Sequence, residues 1–259
     1  MTVQMIETRK EQAAARHFAR SAGYRLLSQA TMHPGEDVIA ALREEDLPQA
    51  QAAAEILDET FSEPLAAFAK ELQNATPDDL QREHGHIFTH LLSLDCPPCE
   101  TVYTAQEIFE ETAQLSDIAG FFRAFGMDLA ERERPDHITV ELEFMHLLTS
   151  KEALAHLHHG SEKARLCRVV QRKFVQDHLG RWGRQFAQQL AGRAPEGLFA
   201  ATAALLDAFL ADELAYLRVQ PETLEVNTDW RTKVSEEDCS TAECPLVQSG
   251  EHNGNPIQL

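Results

Sequence analysis

Residues 131–146 read ERERPDHITVELEFMH and combine apolar and ionisable residues more densely than any other part of the chain. Pro135 suits the first turn of a helix, where its fixed φ and missing N–H do no harm. On a helical wheel of about 100° per residue, the apolar side chains between Val140 and Leu148 fill an arc of about 220°. The segment therefore predicts a helix that opens at Pro135, is buried over most of its circumference and stops at Gly160.

Two ionisable residues of this helix, His137 and Glu141, fall inside the apolar arc, one turn apart. Buried ionisable groups are costly unless they are paired, so both are candidates for a functional site. The alternative is that His137 and its neighbour Asp136 only cap the helix and tie down the preceding loop. The polar remainder of the wheel holds Thr139, Glu143, His146 and Ser150.

The rest of the chain also has the character of a helical protein. Ala, Leu, Gln and Glu dominate the long segments, and no stretch alternates β-branched with polar residues. Thr76-Pro77 is typical of a helix start, and Gly126 of a helix end. The predicted fold class is all-α, a single multi-helix bundle over residues 1–218. Its predicted helices cover about 3–29, 36–45, 50–73, 77–92, 103–125, 135–159, 161–190 and 195–217, and a kink is expected near Gly180.

Acidic residues outnumber basic ones in the chain as a whole, 42 to 23, which gives a formal net charge of -19. Such a chain repels phosphate backbones and anionic membranes, so neither nucleic acid nor a membrane surface is an expected partner. It favours the steering of cationic partners instead. Residues 219–259 hold about eight acids and two bases among polar residues, and we interpret them as an acidic, partly disordered C-terminal tail.

The location predicted from the sequence is the cytoplasm. The first twelve residues carry no apolar signal core, and no apolar run approaches the roughly 18 residues that a membrane span needs. We therefore expect no stable membrane insertion. The five cysteines are too few, and odd in number, for a disulfide scaffold.

Two patterns suggest metal chemistry and serve as alternatives. The pairs Glu83/His86 and Glu143/His146, with glutamates about one helix hairpin upstream, have the formal pattern of a carboxylate-bridged di-iron oxidoreductase. That site needs every ligand to face the bundle core, whereas the wheel places Glu143 and His146 on its polar side.

Four cysteines in two pairs could form a zinc site, although free thiols suit their spacing better; they are Cys96, Cys99, Cys239 and Cys244. We expect no catalytic residue, no metal and no cofactor.

The segment Glu133-Arg-Pro-Asp-His137 resembles the Glu-x-Pro-Asp-His motif of the TorD/DmsD/NarJ family of cytoplasmic molybdoenzyme chaperones. A second family pattern, an acidic-aromatic helix followed by a proline loop and Glu-Ser-x-Tyr, is similar to residues 83–103. Thr101 replaces the usual serine there, while His84 and Cys99 stand where aromatic residues are common. The resemblance covers roughly residues 80–151, and CPPCETVY looks most like the branch serving nitrate, selenate, chlorate or ethylbenzene oxidoreductases.

The resemblance implies a TorD-like bundle that is not an enzyme. Family members bind the N-terminal or twin-arginine signal segment of an apo catalytic subunit and hold it in the cytoplasm until its molybdenum cofactor is inserted. We place peptide binding in a groove between the Pro97-Pro98 loop and the helix opening at Asp136. Asp136 and Glu100 would meet the cationic end, His137 and Glu141 would orient the loop, and Phe88 and Tyr103 would contact apolar residues. The full expected set is Phe88, Pro97, Pro98, Glu100, Tyr103, Glu133, Pro135, Asp136, His137 and Glu141. The identity of the client and the presence of a homodimer stay open.

Overall fold

Helices carry most of the computed structural model, which describes residues 3–57, 59–88, 96–130 and 133–222, with side chains from residue 8 onward. In order they are α1 (Val3–Ala30), α2 (Glu36–Ala41), α3 (Leu47–Ala54), α4 (Glu59–Asn74), α5 (Pro77–Phe88), α6 (Glu100–Thr104), α7 (Ile108–Ala124), α8 (Ile138–Leu154), α9 (Ser161–Asp177), α10 (Leu179–Arg193) and α11 (Gly197–Leu217). The only β pairing in these ranges is one isolated bridge. The all-α prediction is confirmed.

Helix α8 lies in the core, as its wide apolar arc predicted. It packs along α1 and against α9, and Leu142, Phe144 and Leu148 are completely buried. It begins at Ile138 and not at Pro135, because His137 takes the extended backbone of an N-cap residue, with φ -77° and ψ 138°. A π-helical turn, residues 155–159, extends it to Gly160.

The polar side of α8 faces α1 over part of its length. Ser21 of α1 places its Oγ 2.8 Å from His146 Nδ1 and 2.6 Å from Ser150 Oγ. Thr31 and Thr139 bring their hydroxyl oxygens within 3.1 Å of each other. These hydroxyl and imidazole groups satisfy one another, so a polar stripe can be buried between two helices without loss of hydrogen bonds.

The predicted caps are present, whereas three predicted helices are each broken in two. Thr76 Oγ1 accepts a hydrogen bond from Asp79 N at 3.2 Å, and Gly126 adopts a positive φ of 72° after α7. The predicted helix 50–73 is divided into α3 and α4, 103–125 into α6 and α7, and 161–190 into α9 and α10. At the last break His178 leaves helical geometry, with φ -128° and ψ -102°. Helical composition continues across all three breaks, so periodicity alone did not reveal them.

The C-terminal end of the bundle extends slightly beyond α11. Val219 is buried and its N–H donates to Leu214 O, and Gln220 exchanges two hydrogen bonds with Gln176. The rest of the predicted tail, from residue 223, lies outside the described residues. Everything described belongs to one compact unit, Met1–Val226. Among the residues that the structure describes, no helix combines the length and the apolar character needed to cross a bilayer.

Candidate functional site

The proline loop and the Glu133–His137 motif lie side by side and are hydrogen-bonded to each other. Glu100 N–H donates to Asp136 O at 2.8 Å, and Ile138 N–H donates to Pro98 O at 2.8 Å. Between these bonds Cys99 and His137 pair in antiparallel fashion. The two segments that were expected to flank the groove are thus joined by backbone hydrogen bonds, and peptide binding between them stays a prediction.

Asp136 is completely buried and fully engaged with its own chain. Its Oδ2 accepts hydrogen bonds from the hydroxyl and the N–H of Thr101, at 2.8 and 3.2 Å, and Arg134 Nε donates to Oδ1 at 2.9 Å. Burial by itself raises the pKa of Asp136. The hydrogen bonds and the positive charge of Arg134, together with the hydrogen bonds from Thr101, outweigh the effect of burial and hold the pKa below its usual range. The carboxylate is thus occupied by its own chain in this structure, and its contact with a cationic peptide stays a prediction.

Arg134 connects the motif to helix α7. Its Nη2 donates to Glu111 Oε1 at 3.0 Å and to Thr101 Oγ1 at 3.1 Å, in addition to its bonds with Asp136. The hydrogen bonds of Arg134 thereby connect α6 and α7 with the segment that precedes α8. Glu133 is exposed, and its Oε2 accepts a hydrogen bond from Ala130 N at 3.2 Å. Arg134, the variable residue of the Glu-x-Pro-Asp-His motif, thus connects the motif to α7.

His137 acts as the N-cap of α8. Its Nδ1 accepts a hydrogen bond from Thr139 N at 3.3 Å. Burial lowers the pKa of His137, so the imidazole is neutral near pH 7 and can accept this bond. The geometry agrees with the simpler of the two interpretations of His137 and Asp136, in which they cap the helix and hold the preceding loop.

A line of polar groups runs from the core to the surface beside the motif. Trp182 Nε1 donates to Glu141 Oε2 at 3.2 Å. Both oxygens of Glu100 lie 3.2 Å from His178 Nδ1, whose Nε2 is 3.2 Å from Asp117 Oδ2. Glu100 and Glu141 are completely buried, whereas the Asp117 side chain is 66% exposed. Glu100 is therefore turned toward His178 and not toward a peptide on the surface.

Glu141 is the member of this line whose protonated form is favoured. Burial raises its pKa well above the usual range, and the negative charge of Glu100 raises it further. Its Oε1 has no hydrogen-bond partner among the described residues. A neutral carboxyl group is the less costly form in such surroundings.

The aromatic and proline residues of the predicted site differ in accessibility. Tyr103 is buried, and its hydroxyl is within hydrogen-bond distance of Pro97 O and Gln189 Oε1, at 2.9 and 2.7 Å. Phe88 is half-buried, its ring 4.7 Å from that of His84. Pro97 is buried, whereas Pro98 and Pro135 are half-buried. Tyr103 thus supports the loop from beneath and offers no surface to a ligand in this structure.

A surface cleft of about 510 Å³ opens where the polar line ends. One wall is α7 and the other is the junction of α9 and α10. It is lined by Ala113, Gln114, Asp117, Gln176, Asp177, His178, Arg181 and Glu222. None of these residues was predicted from the sequence, because they are distributed over three segments and belong to no motif. The only local signal was the kink expected near Gly180, close to the break at His178.

A group of possible metal ligands occurs elsewhere, at His17, Glu152 and His156, whose ligand atoms all lie within 4.8 Å of one another. Guanidinium nitrogens of Arg20 and Arg168 each lie 3.3 Å from a ring nitrogen of His17. Burial, followed by these positive charges, lowers the pKa of His17 to about 3. The positive charges of two guanidinium groups beside the ring nitrogens of His17 disfavour binding of a metal cation at this cluster. The cluster therefore fits a structural ion-pair network better than a metal site.

The di-iron alternative is not favoured. His86 and Glu143 are exposed, and His146 is engaged with Ser21 of α1, so the two Glu-x-x-His pairs do not converge on one centre. Of the four cysteines in the zinc alternative, Cys239 and Cys244 lie outside the described residues.

Comparisons with known proteins point in one direction. The chain is 41% identical over 70 residues to the perchlorate reductase assembly chaperone protein of Dechloromonas aromatica (strain RCB). That match covers 26% of this chain and only 30% of the relative. A solved structure from Archaeoglobus fulgidus, described as a redox enzyme maturation protein, is 22% identical and covers 60% of this chain and 93% of its own. Its TM-score is 0.35, too low to support an argument.

A family model described as nitrate reductase delta subunit matches residues 54–188. This stretch contains α4 to α9, both sequence motifs and most of the residues that line the cleft. The resemblance found in the sequence is therefore confirmed. Since the match spans more than half of the 259 residues, the chain belongs to the nitrate reductase delta subunit family.

Proposed function

We propose that this protein is a cytoplasmic assembly chaperone for a molybdopterin oxidoreductase. It binds the N-terminal or twin-arginine signal segment of the apo catalytic subunit. It holds that subunit for insertion of the molybdenum cofactor, before export or membrane attachment. The observation that carries the proposal is the family match over residues 54–188, together with a relative that is named as an assembly chaperone.

The geometry of the motif supports a binding role without catalysis. Asp136 is saturated by Arg134 and Thr101, and His137 is engaged with the backbone of Thr139. A general acid or base must reach a substrate proton, and these two side chains instead hold the loop, α6 and α7 in place. The motif thus acts as a positioning element for a surface nearby.

The charge of the protein supports a cationic partner. The net charge of -19 raises the local concentration of a peptide that carries arginines, and it does so over a distance of about a Debye length. Exposed ion pairs contribute only about 0–1 kcal/mol each, so a specific site must add hydrogen bonds and apolar contact. Both requirements are met by a segment in which arginines precede an apolar stretch.

Affinity purification of the tagged full-length chain from cells that produce it, followed by mass spectrometry, tests the proposal. We expect enrichment of one molybdopterin oxidoreductase catalytic subunit in its cofactor-free form. Deletion of the N-terminal segment from that subunit should abolish its recovery. Failure to recover any such subunit would contradict the assignment, and equal recovery after the deletion would contradict the role of the N-terminal segment.

A further inference from the structure

Helix α7 is buried against the bundle through its C-terminal half, whereas its N-terminal half is attached by polar contacts, from Glu111 to Arg134 and from Gln114 to Thr104. Its buried residues are Ile118 and Phe122, both in its second half. In the first turn Ile108 and Phe109 are 61% and 79% exposed. The ion pair from Glu111 to Arg134 holds this half of the helix beside the motif. The first half of α7 therefore presents a face that no other described element covers.

This face continues the wall of the cleft. Phe109, Ala113 and Asp117 are spaced by four residues, so they lie on successive turns of the same side of α7. Ala113 and Asp117 line the cleft, and Phe109 lies one turn beyond it. The surface thus has an acidic end at Asp117 and an apolar end at Phe109, separated by about 12 Å along the helix.

The acidic end has negative charge on its rim and behind its floor. Asp117 and Glu222 are 66% and 77% exposed, and Glu222 lies 4.0 Å from Arg181 Nη2, a cation that also lines the cleft. The floor is His178, which is 3% exposed and has the buried Glu100 carboxylate 3.2 Å behind it. Within the described residues Asp117 has only this imidazole as a hydrogen-bond partner, whereas Asp177 is paired with Lys173. Asp117 is therefore the carboxylate best placed to accept a guanidinium group from outside.

We propose that this surface, the α7 cleft, binds the arginine-bearing N-terminal segment of the client subunit. An arginine guanidinium pairs with Asp117, and apolar residues that follow it pack on Phe109. The inference rests on the proposed function and locates its binding surface. The 12 Å between the two ends corresponds to roughly four residues of extended peptide. A second copy of this chain is a poorer occupant, because two molecules of charge -19 repel each other.

A fluorescence-anisotropy titration of the full-length chain tests this assignment. The probe is a labelled synthetic peptide with two arginines and an apolar run that begins four residues later. The variants are Asp117→Asn and Phe109→Ser, both at exposed positions where folding should be retained. The matched controls are Asp128→Asn and Ile56→Ser, which make the same changes at exposed positions outside the cleft.

We expect Asp117→Asn to weaken binding about tenfold, as for loss of a charged hydrogen bond, and Phe109→Ser to weaken it about fivefold. Both controls should stay within twofold of wild type. A peptide with glutamines in place of the arginines should bind wild type and Asp117→Asn equally, because the partner of Asp117 is then absent. This double comparison separates a local contact from the general effect of one lost charge.

The outcomes distinguish this inference from the proposed function. If wild type binds the peptide and both cleft variants bind as tightly as their controls, the α7 cleft is not the binding surface, although the proposed function stands. If wild type binds neither the peptide nor a client subunit, the proposed function fails as well. If Phe109→Ser converts a dimer to a monomer without changing peptide affinity, the face of α7 is a contact between two copies and the inference is wrong.

Discussion

Arg134 gives Asp136 a guanidinium partner from within the motif itself. The two residues are separated only by Pro135, and the side chain of Arg134 is 46% exposed whereas that of Asp136 is completely buried. A buried carboxylate is stable only when it is paired, and here a neighbour along the chain supplies the pair. The sequence indicated the importance of Asp136 but assigned its charge to an external ligand.

Asp136→Asn should destabilise the protein by about 1.5–3 kcal/mol at pH 7, because charged hydrogen bonds to Arg134 and Thr101 are lost. The pKa of Asp136 is lowered in the folded protein. Its contribution to stability is therefore present above the unfolded pKa of about 3.9 and disappears as the pH falls through the pKa of the folded state. The difference from wild type should therefore narrow below about pH 4. Urea unfolding at pH 3.5 to 7 measures it, with the exposed Asp128→Asn as control. A loss independent of pH would argue against the ionised pair.

Glu141→Gln should have the opposite pH dependence. Burial and the charge of Glu100 raise the pKa of Glu141 in the folded protein. The stability that its protonated form contributes is therefore fully present below the unfolded pKa of about 4.3. That stability is lost as the pH rises toward the pKa of the folded state. Glutamine has no proton to lose, so the variant should gain stability relative to wild type between pH 5 and pH 8. Urea midpoints at these pH values provide the measurement. The exposed Glu143→Gln on the same helix is the control and should show no such trend.

At the scale of elements, close approach of helices determines the packing of the core. A Cβ added to Gly23 of α1 would lie 2.5 Å from the ring of Phe209 in α11. Arg20, one turn earlier, forms two 2.6 Å hydrogen bonds with Glu213. A glycine and a buried ion pair thus fix α1 against α11, a contact for which neither helix has a recognisable motif.

Gly23→Ala should therefore lower stability by about 1–3 kcal/mol, as expected for overpacking of a filled core. Gly192→Ala is the matched change in α10, where an added Cβ meets nothing within 4 Å. Near the C-terminal end of α10 that substitution should raise stability by at most about 0.5–1 kcal/mol, the value for a helix interior. Thermal unfolding of both variants gives the comparison. Equal and positive shifts would show that α1 and α11 are less closely packed than described.

At the scale of the whole molecule, the net charge of -19 acts on association more than on affinity. Long-range attraction accelerates encounter with a cationic peptide and is screened by salt, whereas desolvated contacts in a cleft are screened less. A rise in salt should therefore reduce the association rate much more than it changes the dissociation rate.

Stopped-flow binding of the arginine peptide at 20 and 200 mM NaCl tests this expectation. The association rate constant should fall by about tenfold, with the dissociation rate constant changed by less than about twofold. The glutamine-substituted peptide serves as the control and should show a much weaker dependence on salt. If the dissociation rate carries most of the salt effect, the attraction is local and not a property of the whole surface.

The family resemblance implied that the proline loop and the Glu133–His137 motif lie together. The sequence by itself determined the helical class and most helix ends. These features depend on periodicity and capping over a few residues, as at Thr76 and Gly126. Only the tertiary structure decided which ionisable groups are used internally and which face solvent. Glu100 is paired with His178, 78 positions away, and the exposed Asp117 is connected to the core through the same histidine. Because burial and pairing depend on neighbours that are distant in sequence, the α7 cleft emerged only from the folded chain.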